Sequence, residues 1–229
     1  MSAGSATITL GVQVLVMAKN PVPGRVKTRL TPPYSPVAAA DLAGAALLDT
    51  LAAVCATPAR RRLLVLDDDP TVPVPDGVEL LRQRGGPLDE RLENALADAW
   101  AGAGLPMLLV GMDTPQVTAA DLGHAARQLL APGVDAVLGP AVDGGFWAIG
   151  LRRWQPGLVA GVAMSRAGTG AEQLSRLRTA GLRVDLLPVQ HDVDTADDVV
   201  LVARAAPGSR FAATAHRHAA TRCGVRGHT

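Results

Sequence analysis

A chain of 229 residues is long enough for one domain with a large core, whereas two small domains would each have little interior. Apolar residues make up 48% of it but aromatic ones only 3%, so the interior must be built mainly from Ala, Val and Leu. The 22 basic and 21 acidic side chains nearly cancel, which excludes a nucleic acid or a membrane drawn in by bulk charge and leaves any electrostatic function to local clusters.

The first apolar run, Val12 to Ala18, has the length of a strand and is far too short to cross a bilayer. No signal-like segment precedes it, and Cys55 and Cys223 form neither a disulfide framework nor a metal-ligand cluster, so a reducing, cytoplasmic setting is expected. After it, Ser35-Pro36 gives a cap residue and a helix-starting proline, and a long Ala/Leu-rich helix runs on to about Ala56. Strand-length runs follow at Arg62 to Leu66, Pro106 to Gly111, Asp135 to Leu138 and Val184 to Pro188, with a second helix from Leu88 to about Gly102.

Three more helix starts carry capping-box spacing: Thr118 with Asp121, Thr169 with Glu172, and Thr195 with Asp198. Such alternation predicts an α/β fold with a mainly parallel sheet covered on both faces, in which ligands bind beyond the carboxyl ends of the strands. Residues 1–206 are expected to form this domain and 207–229 a flexible tail. The tail's His216, His218 and His228 read as solvated residues rather than a metal site.

The chemistry is concentrated in the loops after the strands. Lys19, Arg25, Lys27 and Arg29 follow the first strand, with Gly24 and two prolines shaping their path. The cluster reads as an anion cradle, or else as a solvated basic loop; the glycines of a Walker A motif are absent. Asp113, in Gly111-Met112-Asp113-Thr114-Pro115, sits just past the central strand, where it suits a hard cation shared with substrate phosphates or simply accepts turn hydrogen bonds.

The second acidic group is Asp192, Asp194, Asp197 and Asp198. Asp197 and Asp198 belong to a first helical turn, where the helix dipole favours negative charge, leaving Asp192 and Asp194 as ligand candidates, one of them expected to face the cleft. Asp143-Gly144-Gly145 reads as a hairpin turn or as a close backbone approach to a ligand, ahead of an apolar strand with Phe146 and Trp147.

Taken in order, Lys19…Lys27-Thr28-Arg29-Leu30, Gly85-Gly86-Pro87-Leu88-Asp89-Glu90-Arg91, Gly111-Met112-Asp113-Thr114-Pro115, Gly139-Pro140…Asp143-Gly144-Gly145 and Asp192-Val193-Asp194-Thr195 resemble the DUF2064 family. That family, often labelled a glycosyltransferase, belongs to the nucleotide-diphospho-sugar transferase superfamily with a Rossmann-like GT-A fold. The opening also resembles 2-phospho-L-lactate guanylyltransferases, where a basic segment precedes a Ser-Pro helix start. Sugar-acid cytidylyltransferases hold Mg²⁺ through two aspartates, which by resemblance implies Mg²⁺ (or Mn²⁺) on Asp113 and Asp194.

The glycine-rich nucleotidyltransferase loop is missing, so base and ribose contacts do not carry over, though by resemblance Gln83 to Arg91 edges the nucleotide pocket. The expectation is therefore a transferase using a nucleoside triphosphate or a nucleotide sugar with a small-molecule acceptor, without nucleic acid or membrane; a homodimer is allowed. Nucleotidyl transfer would use Arg25, Lys27, Arg29 and Asp113 at the phosphates, Lys19, Gly24, Gln83 and Arg91 around the nucleotide, and Asp143, Gly144 and Gly145 at the acceptor. The alternatives are glycosyl transfer and a nucleotide-binding module without catalysis.

Overall fold

The computed structural model describes residues 9–224. Seven strands form one sheet: β1 (Leu10–Ala18), β2 (Ala59–Leu66), β3 (Glu79–Arg82), β4 (Met107–Gly111), β5 (Ala136–Pro140), β6 (Phe146–Leu151) and β7 (Val184–Leu186), in the order β3-β2-β1-β4-β6-β5-β7. Only β6 runs antiparallel to its neighbours, because a short turn joins it to β5 as a hairpin. The expected mainly parallel α/β architecture is the observed one. The short edge strand β3 was not legible in the sequence, since its burial is slight and its pattern ambiguous.

Alternation along β1 explains how both sheet faces are covered. Val14 and Val16 pack with Ala43, Leu47 and Leu122 from α1 (Pro36–Ala56) and α3 (Ala119–Leu130). Leu15 and Met17 pack on the other face with Leu92 and Leu96 of α2 (Leu88–Ala103) and Leu177 of α4 (Thr169–Thr179). α1 is capped by the Ser35 side chain, which accepts a hydrogen bond from the Ala38 N–H, and has Pro at its first position. It is long and apolar enough to cross a membrane, yet most of it is buried against the sheet and neighbouring helices.

Capping boxes are present at Thr118 with Asp121, opening α3, and at Thr195 with Asp198, opening α5 (Ala196–Ala205). The third is not: α4 is capped by Gly168, and the Thr169 hydroxyl instead donates to the Ala163 carbonyl and accepts from the Arg166 N–H.

The expected tail also differs. Arg210–Gly224 forms a helix, α6, whose Phe211, Ala212 and Ala215 are buried with Leu42 and Ala46 of α1 and Val199 of α5. Asp49 on α1 accepts the Arg210 and Phe211 N–H groups and so caps it, and His218 lies 3.0 Å from Asp41. An Ala-rich segment with a place to bury one face becomes a helix; the sequence alone did not reveal that place. His228 lies outside the described residues.

Candidate active site

The carboxyl ends of β1, β4 and β5 and the β5–β6 turn meet at one edge of the sheet, where a cavity of about 490 Å³ opens. That volume lies in the range of small-molecule sites. Lys19, Arg25, Lys27 and Arg29 line it from the loop after β1, Gln83 and Arg91 from the β3–α2 side, Asp113 from the end of β4, and Asp143 and Gly145 from the hairpin turn. Asp192 and Asp194 complete the floor. Chain segments far apart in sequence are thus brought into one cleft.

Gly24 and Gly144 do not line the cavity; they shape its walls. Gly24, at φ +77°, turns the basic loop. Gly144, at φ +88°, would place a Cβ 2.0 Å from the Ala167 carbonyl oxygen, so only glycine lets the residue 163–170 loop lie on the hairpin. That contact is sealed by the Gly170 N–H donating to the Gly144 carbonyl at 2.8 Å. The plain-turn reading of Asp143 is also correct locally, since its carboxylate accepts the Gly145 N–H.

Lys27 is the electrostatic hub. Its Nζ lies 2.7 Å from Asp113 and 3.5 Å from Asp194, and donates to the Val193 carbonyl. Burial alone would lower its pKa, but the charge and hydrogen bond of Asp113, with the charges of Asp194 and Asp192, outweigh burial and raise it. Arg29 holds the other oxygen of Asp194 at 3.0 Å. The acidic segment is stapled to β4 by the Val193 N–H, which donates to the Asp113 carbonyl at 3.0 Å.

Both Asp192 and Asp194 reach the cavity, in contrast to the expectation that one would. In an extended segment residues two apart share a side, so the buried Val193 points away from both. Asp192 is pushed up to about 7, first by burial and then by the charges of Asp113 and Asp143, against the opposing pull of Lys27. One of its oxygens, Oδ1, is buried with no hydrogen-bond partner. Asp198 behaves as a structural residue: it closes the capping box and lies 2.6 Å from His191.

Gln83 organises the far wall. Its amide donates to the Ala18 and Val65 carbonyls, bridging the ends of β1 and β2, and its oxygen accepts from Arg91. The sequence reading missed Met164, Ser165 and Arg166, which line the cavity from the stretch between β6 and α4. They fold back because the buried Glu93 of α2 accepts the N–H groups of Gly157, Val159 and Ala160, and Arg176 donates to the Gly157 and Ala160 carbonyls. No periodic pattern marks that stretch, so only the position of Ser165-Arg166 ahead of a helix start hinted at it.

Among the described residues no cluster of three or more His, Cys, Asp or Glu is arranged to hold a metal ion. The oxygen donors Asp113, Asp192 and Asp194 nevertheless fit a hard divalent cation of the Mg²⁺ type, which takes one or two carboxylates and fills the rest with water and phosphate. The unpartnered Asp192 oxygen is the atom such a cation would satisfy.

A family model described as "Uncharacterized protein conserved in bacteria (DUF2064)" matches residues 42–166. No curated protein matches the chain. A solved structure from Desulfovibrio desulfuricans G20, provisionally described as a nucleotide-diphospho-sugar transferase, superposes with a TM-score of 0.82 at 26% identity over 92% of this chain and 96% of that one. Rv0371C from Mycobacterium tuberculosis H37Rv, solved with manganese, matches at TM-score 0.50 and 22% identity over 85% and 98%. A CMP:2-keto-3-deoxy-manno-octonic acid synthetase, solved with CTP, matches at 0.52 and 13% over 83% and 96%.

Proposed function

The chain belongs to the DUF2064 family, and from that premise we propose that it is a metal-dependent nucleotidyltransferase, moving a nucleoside monophosphate from a triphosphate to a small phosphorylated or phosphonate acceptor. The broader class, a nucleotide-using transferase, rests on kinship with the Desulfovibrio protein and with the CTP-bound synthetase fold. One observation supports the finer reading: the basic loop after β1 and the carboxylates of Asp113, Asp192 and Asp194 line a single cleft, with Lys27 and Arg29 paired directly to Asp113 and Asp194.

In this reading an oxygen of the acceptor attacks the α-phosphorus of the triphosphate, the bond from that phosphorus to the bridging oxygen breaks, and pyrophosphate leaves. Such a reaction needs alignment and charge stabilisation more than covalent help. Arg25 and Arg29 neutralise the departing pyrophosphate, Lys27 holds Asp113 and Asp194 in place, and Lys19 and Arg91 border the nucleotide. A divalent cation, as in the manganese-bound mycobacterial relative, would be held by Asp113 with Asp194 or Asp192 and would neutralise phosphate charge when bound.

Glycosyl transfer is the second reading, favoured by the description of the Desulfovibrio relative and by Asp192. A buried carboxyl near pH 7 with a free oxygen is the general base that a sugar hydroxyl acceptor needs and an ionised phosphate does not.

The test is a thermal-shift panel of the four nucleoside triphosphates and several nucleotide sugars, with and without Mg²⁺, on the native chain and on Asp113→Ala. Ligands that bind only the folded state raise the melting temperature by mass action. Nucleotidyl transfer predicts Mg²⁺-dependent stabilisation by a triphosphate that Asp113→Ala loses. Stabilisation by nucleotide sugars alone would replace it with glycosyl transfer, and stabilisation indifferent to Asp113 would indicate a binding module.

A further inference from the structure

The strand order divides the cavity. On one side of β4 and its Asp113 stand β1, β2 and β3 with the basic loop, Gln83 and Arg91; on the other stand β6, β5 and β7 with the hairpin turn, from which the acidic segment of Asp192 and Asp194 returns to the end of β4. Of the cations that line the cavity, Lys19, Arg25, Lys27, Arg29 and Arg91 belong to the first side. Arg166 belongs to the second, because its loop is docked on the hairpin through Gly144 and Gly170.

The presentation of Arg166 is built rather than incidental. The buried Thr169 ties the loop into a closed turn: its hydroxyl accepts the Arg166 N–H at 3.1 Å and donates to the Ala163 carbonyl at 2.7 Å, while its own N–H donates to the Arg166 carbonyl. Ser165 sits in the left-handed region at φ 59°, a conformation that a non-glycine residue adopts only when its surroundings impose it. The Arg166 guanidinium forms no ion pair with a carboxylate among the described residues, and Asp143 of the hairpin turn accepts the Gly145 N–H.

An unpaired guanidinium at the rim of a cleft, on the side away from the donor's phosphates, suits a second oxyanion, which its planar fork can bind through two N–H groups. We propose that Arg166, with the Ser165 hydroxyl beside it, is the binding residue for the phosphate or phosphonate group of the acceptor. The proposal rests on the nucleotidyltransferase reading and deepens it: the enzyme would select an anionic acceptor through a residue that contributes nothing to donor binding.

The experiment uses the full chain. The triphosphate giving the largest stabilisation is supplied at saturation with Mg²⁺ as its non-hydrolysable α,β-methylene analogue, and binding of glycerol 2-phosphate, methylphosphonate and uncharged glycerol is then measured by calorimetry. The native chain should bind one or both anionic probes and not glycerol. Arg166→Ala should weaken that binding about tenfold or more, the size expected for a lost charge-assisted contact. Arg166→Lys should recover part of it, and neither change should alter the affinity for the triphosphate analogue. Equal anion binding by native chain and Arg166→Ala would overturn the proposal while leaving the parent reading intact, as would a triphosphate-loaded native chain that binds no anionic probe. A loss of triphosphate binding in Arg166→Ala would assign the residue to the donor side instead. A native chain that binds no triphosphate at all would remove the parent reading, and this one with it.

Discussion

Replacing Asp192 with Asn removes a carboxyl that the fold holds far from its ordinary ionisation. In the unfolded chain this group titrates near 3.8, and in the folded protein near 7, chiefly because burial disfavours its charge and Asp113 and Asp143 repel it. The folded state therefore retains a proton that the unfolded chain releases between these two values. The group's favourable contribution is full below about pH 4 and is lost as pH rises through about 7. At about 1.36 kcal/mol per tenfold change in proton affinity, the separation amounts to at most about 4 kcal/mol by pH 8. Asp192→Asn mimics the protonated form, so at pH 8 in a chelator it should be more stable than the native chain by about 2–4 kcal/mol. At pH 4.5 the difference should shrink to about 1 kcal/mol. Urea unfolding of both proteins at the two pH values measures this directly. A variant equal to or less stable than the native chain at pH 8 would refute the reasoning, because Asp192 would then be ionised and satisfied in the fold.

Three other outcomes test the architecture around the cleft. Glu93→Ala strips the N–H groups of Gly157, Val159 and Ala160 of their acceptor, and should cost about 3 kcal/mol or more in urea unfolding, with a loss under about 1 kcal/mol counting against the pinned loop. Phe211→Ala empties the site that anchors α6 and should cost about 3–5 kcal/mol; a neutral effect would mean that the helix does not dock on α1. Gly144→Ala drives a Cβ into the Ala167 carbonyl at an unfavourable φ, so it should lower the melting temperature by several degrees and expose the residue 163–170 loop to limited proteolysis, and a melting temperature within about 1 °C of the native value would contradict the close approach.

Much of this protein was legible before its fold was known, because its signals are local. Strand-length apolar runs, the Ser35-Pro36 helix start and two of three capping boxes depend on neighbouring residues, and they emerged where the pattern put them. The basic loop after β1 and Asp113 after β4 could be named because a parallel sheet sends every such loop to the same edge. What failed had no local signature. Thr169 has capping-box spacing, yet its hydroxyl closes a loop instead, and α6 is a helix because Asp49 and a vacant face of α1 receive it.

The sequence by itself determined which side chains could carry charge to a ligand and at which strand ends they stand. Only the tertiary structure decided how they meet: that Lys27 joins Asp113 to Asp194, that the half-buried Asp192 has one buried, unsatisfied oxygen, and that Arg166 returns to the cleft from beyond β6. The physical reason is that pairing, desolvation and loop docking are interactions between residues distant along the chain. Their energies depend on separations that no sequence spacing encodes.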